Sequence, residues 1–260
     1  MLHHLLYLTI ILLVVGLAAG TFGSMVGVGG GLLITPVLAL MGFSPSNIAS
    51  TSLIAVSSTG ISSTIEYSRQ KRIDYVIGLK ISALAIPGAV IGASLSNYIS
   101  FENFKVYLAI VLILAGLYIL YRNSILKEKS QEKKPFSKSI RVLFYIVSFF
   151  AGLISSLFGI GGGIIFVPLM VLMLGIAMFR AGPNSQLALL ITSLAGVFTH
   201  VLLGHPNYID GLLLAIGAFV GGHIGARLSS RVKESILQKL LSTSLIGVAL
   251  KLLFDFINNK

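Results

Sequence analysis

The chain of 260 residues contains no cysteine, which excludes disulfides, thiol chemistry and iron–sulfur ligation and leaves its redox compartment unmarked. Charge is scarce too. Only 10% of the residues are charged and just 8 are acidic, against 55% apolar residues and a mean hydropathy of +0.96, far outside the soluble range. Glu66, Asp74 and Asp210 lie near the ends of apolar segments and the other acidic residues fall in loops or tails. A buried carboxylate proton relay is therefore not expected. No His, Asp or Glu cluster has metal-ligand spacing, and no nucleophile or acid–base pair is set out as an active site would need. The chain is expected to have no metal or cofactor and not to be an enzyme. Ten-residue segments alternating between apolar and polar, the mark of a membrane barrel, are also missing.

What is present is a set of long apolar runs, such as "VYLAIVLILAGLYILY", of the roughly 20 residues that cross a bilayer as a helix. Ten segments stand out, at 5–27, 30–42, 47–67, 74–97, 104–122, 139–158, 162–176, 184–203, 208–228 and 236–257. They divide five and five. The expected organisation is a first membrane repeat over 1–122, a cytoplasmic linker over 123–138 and a second membrane repeat over 139–260. The N-terminal run leads to "GLAAG" in the manner of a signal peptide, but "MLHH" lacks the basic start and the matching second-half segment is internal. It is expected to be retained.

The net charge of +11 would suit nucleic acid only if the cations clustered on a folded soluble face, and instead they sit between the apolar segments. There they orient the chain. Arg69, Lys71 and Arg72, the seven basic residues from Arg122 to Arg141, and Arg227, Arg231, Lys233 and Lys239, with Arg180, mark the cytoplasmic side. The loop "LGHPNYID" has no Lys or Arg, and "YISFENFK" has only Lys105. Equivalent loops of the two halves therefore face opposite sides, and both termini are expected outside. Five segments per half produce this inversion, an architecture found among secondary transporters with substrate near mid-membrane.

One stretch occurs twice: "GSMVGVGGGLLITPVL" at Gly23–Leu38 and "SSLFGIGGGIIFVPLM" at Ser155–Met170, offset by 132 residues. The apolar arm after each triple glycine is about half the length needed to cross, so each loop is expected to break a helix at membrane depth, as a re-entrant hairpin or a bent pair of crossings. Such a break is tolerated only inside protein or along a cavity. Pro36 and Pro168 are expected in the first turn of the helices that follow. The glycines open backbone amides at those helix starts, an anion site that needs no cationic side chain. Close packing of GxxxG type is the competing explanation, favoured by spacing alone, although it does not require three glycines and a proline in both halves. No strand precedes the glycines, and no Gly-Lys-Ser/Thr follows, which excludes dinucleotide and Walker loops.

The paired loops, and the helices "ASTSLIAVSSTGISSTIEY" and "NSQLALLITSLAGVFTH" after them, resemble the sulfite exporter TauE/SafE family over nearly the whole chain. That resemblance implies duplicated halves in the cell membrane and the movement of sulfite, organosulfonates or related anions. The fold expected is an all-α polytopic membrane protein of two inverted-topology repeats with Gly-rich broken or re-entrant helices. The candidate substrate-binding residues are Gly29, Gly30 and Gly31, Gly161, Gly162 and Gly163, with Ser57, Ser58, Thr192 and Ser193 as hydroxyl donors near mid-depth. Helix glue is the competing role for these hydroxyls. Asn47 and Asn184 are expected to cap helices. His200 and His223 are candidate proton carriers, with interfacial hydrogen bonding as the stronger reading. A small anion and the lipid bilayer are the expected partners, with coupling to protons or to the membrane potential; an anion channel or a carrier of another small substrate is the alternative.

Overall fold

The computed structural model describes residues 2–127, 138–176, 178–231 and 234–258. Ten α-helices account for the described chain, in the order α1 (Leu2–Val26), α2 (Gly31–Leu40), α3 (Pro45–Arg69), α4 (Tyr75–Leu95), α5 (Phe101–Lys127), α6 (Lys138–Phe158), α7 (Gly163–Leu174), α8 (Met178–Leu202), α9 (Tyr208–Leu228) and α10 (Glu234–Asn258). A 3₁₀ turn, Ser96–Tyr98, follows α4. Six of the helices contain a span long and apolar enough to cross a membrane, and the fold is that of an all-helical multi-pass membrane protein. The core of the expected linker, 128–137, lies outside the described residues, while α5 continues to Lys127.

Helix order repeats between the halves, and the contacts interlock them. α1 packs on α9, α4 on α6, α5 on α10, and α3 crosses both α8 and α9. α3 is the least hydropathic of the candidate spans and the most buried, so its many hydroxyls face protein rather than lipid. Glycines allow the closest of these approaches: a Cβ on Gly217 or Gly221 would strike the carbonyls of Leu13 and Leu17, and one on Gly88 or Gly92 those of Phe149 and Leu153. The same contacts make α1 parallel to α9 and α4 parallel to α6.

α3 and α8 run antiparallel. Leu53 meets Gly196, Ser57 bonds Ser193, Gly60 meets Leu190, and Ser63 bonds Gln186. Shifting each residue of one helix by 133 positions onto the other maps this set of contacts onto itself, so the crossing is compatible with the expected inverted repeat. Basic residues gather at one end of the bundle: Arg72 donates to the Ser229 hydroxyl at 2.8 Å and to the Phe179 carbonyl at 2.9 Å, and Arg227 pairs with Glu66. The opposite end joins Asn97 to His205 and Thr51 to the Asn207 amide.

Two local expectations are corrected. α2 and α7 start directly on Gly31 and Gly163, so Pro36 and Pro168 stand in the second turn, where each leaves a carbonyl of the first turn without its usual amide partner. Asn47 and Asn184 lie inside helices rather than at their caps, because Ser44 and Pro45 open α3 and α8 begins at Met178. Asn184 instead accepts the Asp74 amide at 2.7 Å, tying α8 to the start of α4, while Asp74 itself caps α4 through the amides of Val76 and Ile77.

The orientation is directly testable in this cysteine-free chain. A thiol at Gln70, beside the basic end, is expected to resist an impermeant reagent applied to intact cells, whereas one at Asn207 is expected to react. Labelling of Gln70→Cys from outside would reverse the assignment.

Candidate functional site at the meeting of two glycine loops

α1 runs toward the basic end, where the Tyr67 hydroxyl donates to the Ser24 carbonyl at 2.8 Å. The chain then turns back. Gly30 lies beside Thr59, and Thr35 bonds Ser52, so α2 retraces α3 in the opposite direction and forms a hairpin with α1. Turning a helix within a few residues requires positive φ, which Gly27 (79°) and Gly29 (87°) supply; Gly159 (72°) and Gly161 (79°) do the same in the second half. α6, parallel to α4, leads into that second turn from the basic end.

The two turns meet each other. A Cβ on Gly31 would strike the carbonyl oxygens of Gly159 and Ile160, and one on Gly163 those of Gly27 and Val28. Hydroxyls from the crossing helices hold both loops. Ser185 donates to the Gly27 carbonyl at 2.7 Å, and Ser52 donates to the Gly159 carbonyl at 2.7 Å. Thr35 adds a bond to the Phe158 carbonyl at 3.0 Å and Gln186 one to the Gly23 carbonyl at 3.0 Å. The side chain of Leu189 covers Gly29 and Gly161 together. All of the triple-glycine residues are buried.

Amide accounting separates the glycines. The amides of Gly27, Val28 and Gly29 bond back to Ser24 and Gly23, so Gly29 serves the turn rather than offering a donor. Leu33 and Ile34 both donate to the Gly30 carbonyl, which leaves Gly30, Gly31 and Leu32 as the donors without an acceptor among the described bonds. In the second loop Ile165 and Phe166 donate to the Gly162 carbonyl, and the amides of Gly161, Gly162, Gly163 and Ile164 have no acceptor among the described bonds.

Of the four hydroxyl candidates, two are brought together. Ser57 and Ser193 are buried and hydrogen-bonded to each other at 2.9 Å across the α3–α8 crossing. Ser58 turns away to the Ala215 carbonyl of α9, at 2.7 Å, and Thr192 bonds back to Ala188 of its own helix, at 2.8 Å. Ser52, Ser185 and Gln186, which hold the loops, are not among the candidates named from the sequence. Their signal was the repeat itself, since Ser52 and Ser185 are equivalent positions of it.

Both histidines occur in networks. His200 is fully buried and faces the Ser156 carbonyl through Nε2 at 3.1 Å and His205 through Nδ1 at 2.7 Å, and His205 Nε2 meets the Asn97 amide. A carbonyl partner requires a proton on His200 Nε2, so His205 Nδ1 is the donor of the pair and Asn97 donates to His205 Nε2. Burial holds His205, in the loop between α8 and α9, below its ordinary pKa, in keeping with this neutral chain. At the other end His223 stands 3.5 Å from Glu66, which is only 7% exposed and borders a cavity of about 600 Å³ with Gln70, Arg227 and Arg231. Glu66 is near its helix end, as expected, but its side chain is largely buried.

The sequence model described as sulfite exporter TauE/SafE matches residues 12–252. The probable membrane transporter protein YunE of Bacillus subtilis is 30% identical, covering 95% of this chain and 97% of that protein. The probable membrane transporter proteins YfcA of Escherichia coli K12 and YdhB of Bacillus subtilis are each 26% identical, covering 94% and 88% of this chain. No solved structure matches the chain. With its fold, its duplicated glycine hairpins and a match across nearly all of its length, this chain belongs to the sulfite exporter TauE/SafE family of membrane transporters.

Proposed function

We propose that the protein is a secondary transporter of small anions of the sulfite, organosulfonate or related sulfur-oxyanion class, held near mid-membrane by the starts of α2 and α7. The observation that carries this reading is the meeting of two helix starts whose first amides have no acceptor, at the centre of a bundle with little fixed charge. Each start presents N–H donors and the positive end of a helix dipole. Two such ends attract an oxyanion without a lysine or arginine that would hold it too tightly to release. The Ser57–Ser193 pair adds hydroxyls that can turn from each other to the substrate.

In the conformation described, the loops touch and the site is closed. Transport requires the α1–α2 and α6–α7 hairpins to separate on one side at a time, and the equivalence of the halves supplies two such arrangements of matched structure. The name of the family gives sulfite as the first substrate to test. Purified protein in proteoliposomes is expected to move sulfite or a sulfonate faster than sulfate-free liposomes without protein, and faster than it moves potassium or a neutral amino acid. Cation flux without anion flux would overturn the reading.

A further inference from the structure

We infer that a cavity at the basic end of the bundle, between α4 and the α6–α7 hairpin, binds an anionic phospholipid of the cytoplasmic leaflet, its phosphate on Lys80 and an acyl chain in the apolar cleft. The site goes beyond the transport reading above and stands whatever the substrate is. Its volume is about 650 Å³. Leu84 of α4, Phe144 of α6, and Leu174 and Ile176 at the end of α7 give it apolar walls, while Lys80 and Tyr145 supply its polar atoms.

The fold puts this cavity at the depth where headgroups meet acyl chains. α4 begins at Tyr75, directly after the basic loop that carries Arg72, and the Phe179 carbonyl, just beyond the end of α7, accepts Arg72. Lys80 is five residues into α4, about 8 Å along the helix from its start. α4 and α6 run parallel, with Ala85 against Gly152. Lys80 and Tyr145 precede those two residues by five and seven positions, so their depths differ by about 3 Å.

Neither polar group has a partner in the protein. Among the described residues the Lys80 ammonium makes no ion pair or hydrogen bond, the Tyr145 hydroxyl makes no hydrogen bond, and no carboxylate lines the cavity. Asp74, the acid nearest to Lys80 in the sequence, is taken up with capping α4. A cation on an apolar wall is costly without a counter-ion, and its stem lets it reach the headgroup phosphates. A phosphate there accepts from the Lys80 ammonium and from the Tyr145 hydroxyl, and the chain below it fills the cleft.

Charge complementarity selects an anionic lipid over a zwitterionic one. Phosphocholine brings its own cation to an end that already holds Arg69, Lys71 and Arg72, whereas phosphoglycerol brings none. The repeat makes the site one-sided. The position equivalent to Lys80, 133 residues on in α9, is Leu213, so the matching place at the opposite end has no cation.

The experiment uses the absence of tryptophan from the chain. Phe144→Trp, a single reporter in the full chain, is reconstituted in bilayers of phosphatidylcholine and phosphatidylglycerol in which one lipid or the other carries a brominated acyl chain that quenches indole. Brominated phosphatidylglycerol is expected to compete for the reporter about fivefold better than brominated phosphatidylcholine, the scale of one lysine at an anionic surface. Lys80→Gln is expected to abolish that preference and Lys80→Arg to keep it. Lys71→Gln, which removes the same charge at the same end but outside the cavity, is expected to leave it unchanged. Native mass spectra of the chain with Phe144 intact are expected to show phosphatidylglycerol retained, and lost with Lys80→Gln, which keeps the test independent of the reporter. Equal quenching by the two lipids, a preference that survives Lys80→Gln, or an equal loss in Lys71→Gln would each overturn the site. Quenching by neither lipid would overturn it too, since the cleft would then be covered by protein, such as a second copy of this chain.

Discussion

Alanine at Gly31 or Gly163 is expected to abolish transport and to destabilise the protein by about 1–3 kcal/mol, the scale of an overpacked core. The added Cβ meets backbone carbonyls of the opposite loop, Gly159 and Ile160 in one case and Gly27 and Val28 in the other. Backbone cannot rotate aside as a side chain does. Relief requires the hairpins to move apart, which breaks the bonds from Ser52 and Ser185 to the loop carbonyls. Gly182→Ala is the control, since it sits in α8 with its nearest neighbour at an ordinary 3.7 Å and is expected to be neutral. Gly30→Ala, with contacts at 3.3 Å to Ala19 and Thr59, falls between them. Thermal unfolding in detergent and flux in proteoliposomes read the two effects separately. Full activity and stability in Gly31→Ala would mean that the loops do not meet as described.

Aspartate at Ser57 or Ser193 is expected to eliminate anion flux at matched protein abundance. The two hydroxyls are buried, at 6% and 1% exposure, and the described residues place no lysine or arginine against them. An uncompensated carboxylate there costs several kcal/mol and repels an anion at short range in a medium of low dielectric. Alanine at either position is expected to weaken apparent affinity by about tenfold or less, the scale of one hydrogen bond. Ser58→Ala and Thr192→Ala are expected to have smaller effects still, because Ser58 turns away to Ala215 of α9 and Thr192 bonds only within α8, so neither joins the pair across the α3–α8 crossing. A cation carrier would reverse the order, tolerating aspartate.

These two sets of residues differ in how far the sequence disclosed them. The doubled glycine stretch was legible as a helix break because hydrocarbon-length runs stop short there twice, at one fixed offset. That the loops face each other was legible only as a consequence of inversion. Their direct contact depends on α3 and α8 holding each loop through Ser52 and Ser185, which no periodicity encodes. α8 starts at Met178, six residues before the expected segment 184–203, because Pro183 is accommodated near the beginning of the helix. Glu66 was seen only as a residue near a helix end. Its burial comes from α9, where Gly222 and Gly225 let the helix approach α3 and α1 closely, a packing effect between segments some 150 residues apart.

An oxyanion bound between the starts of α2 and α7 can be located crystallographically. Selenite is a heavier analogue of sulfite whose selenium scatters anomalously. In crystals of the protein grown with it, a selenium peak is expected within hydrogen-bond reach of the amides of Gly30 or Gly31 and of Gly162 or Gly163, with Ser57 or Ser193 turned toward it. A peak confined to the basic mouth or to the lipid face, in protein that transports sulfite, would contradict it.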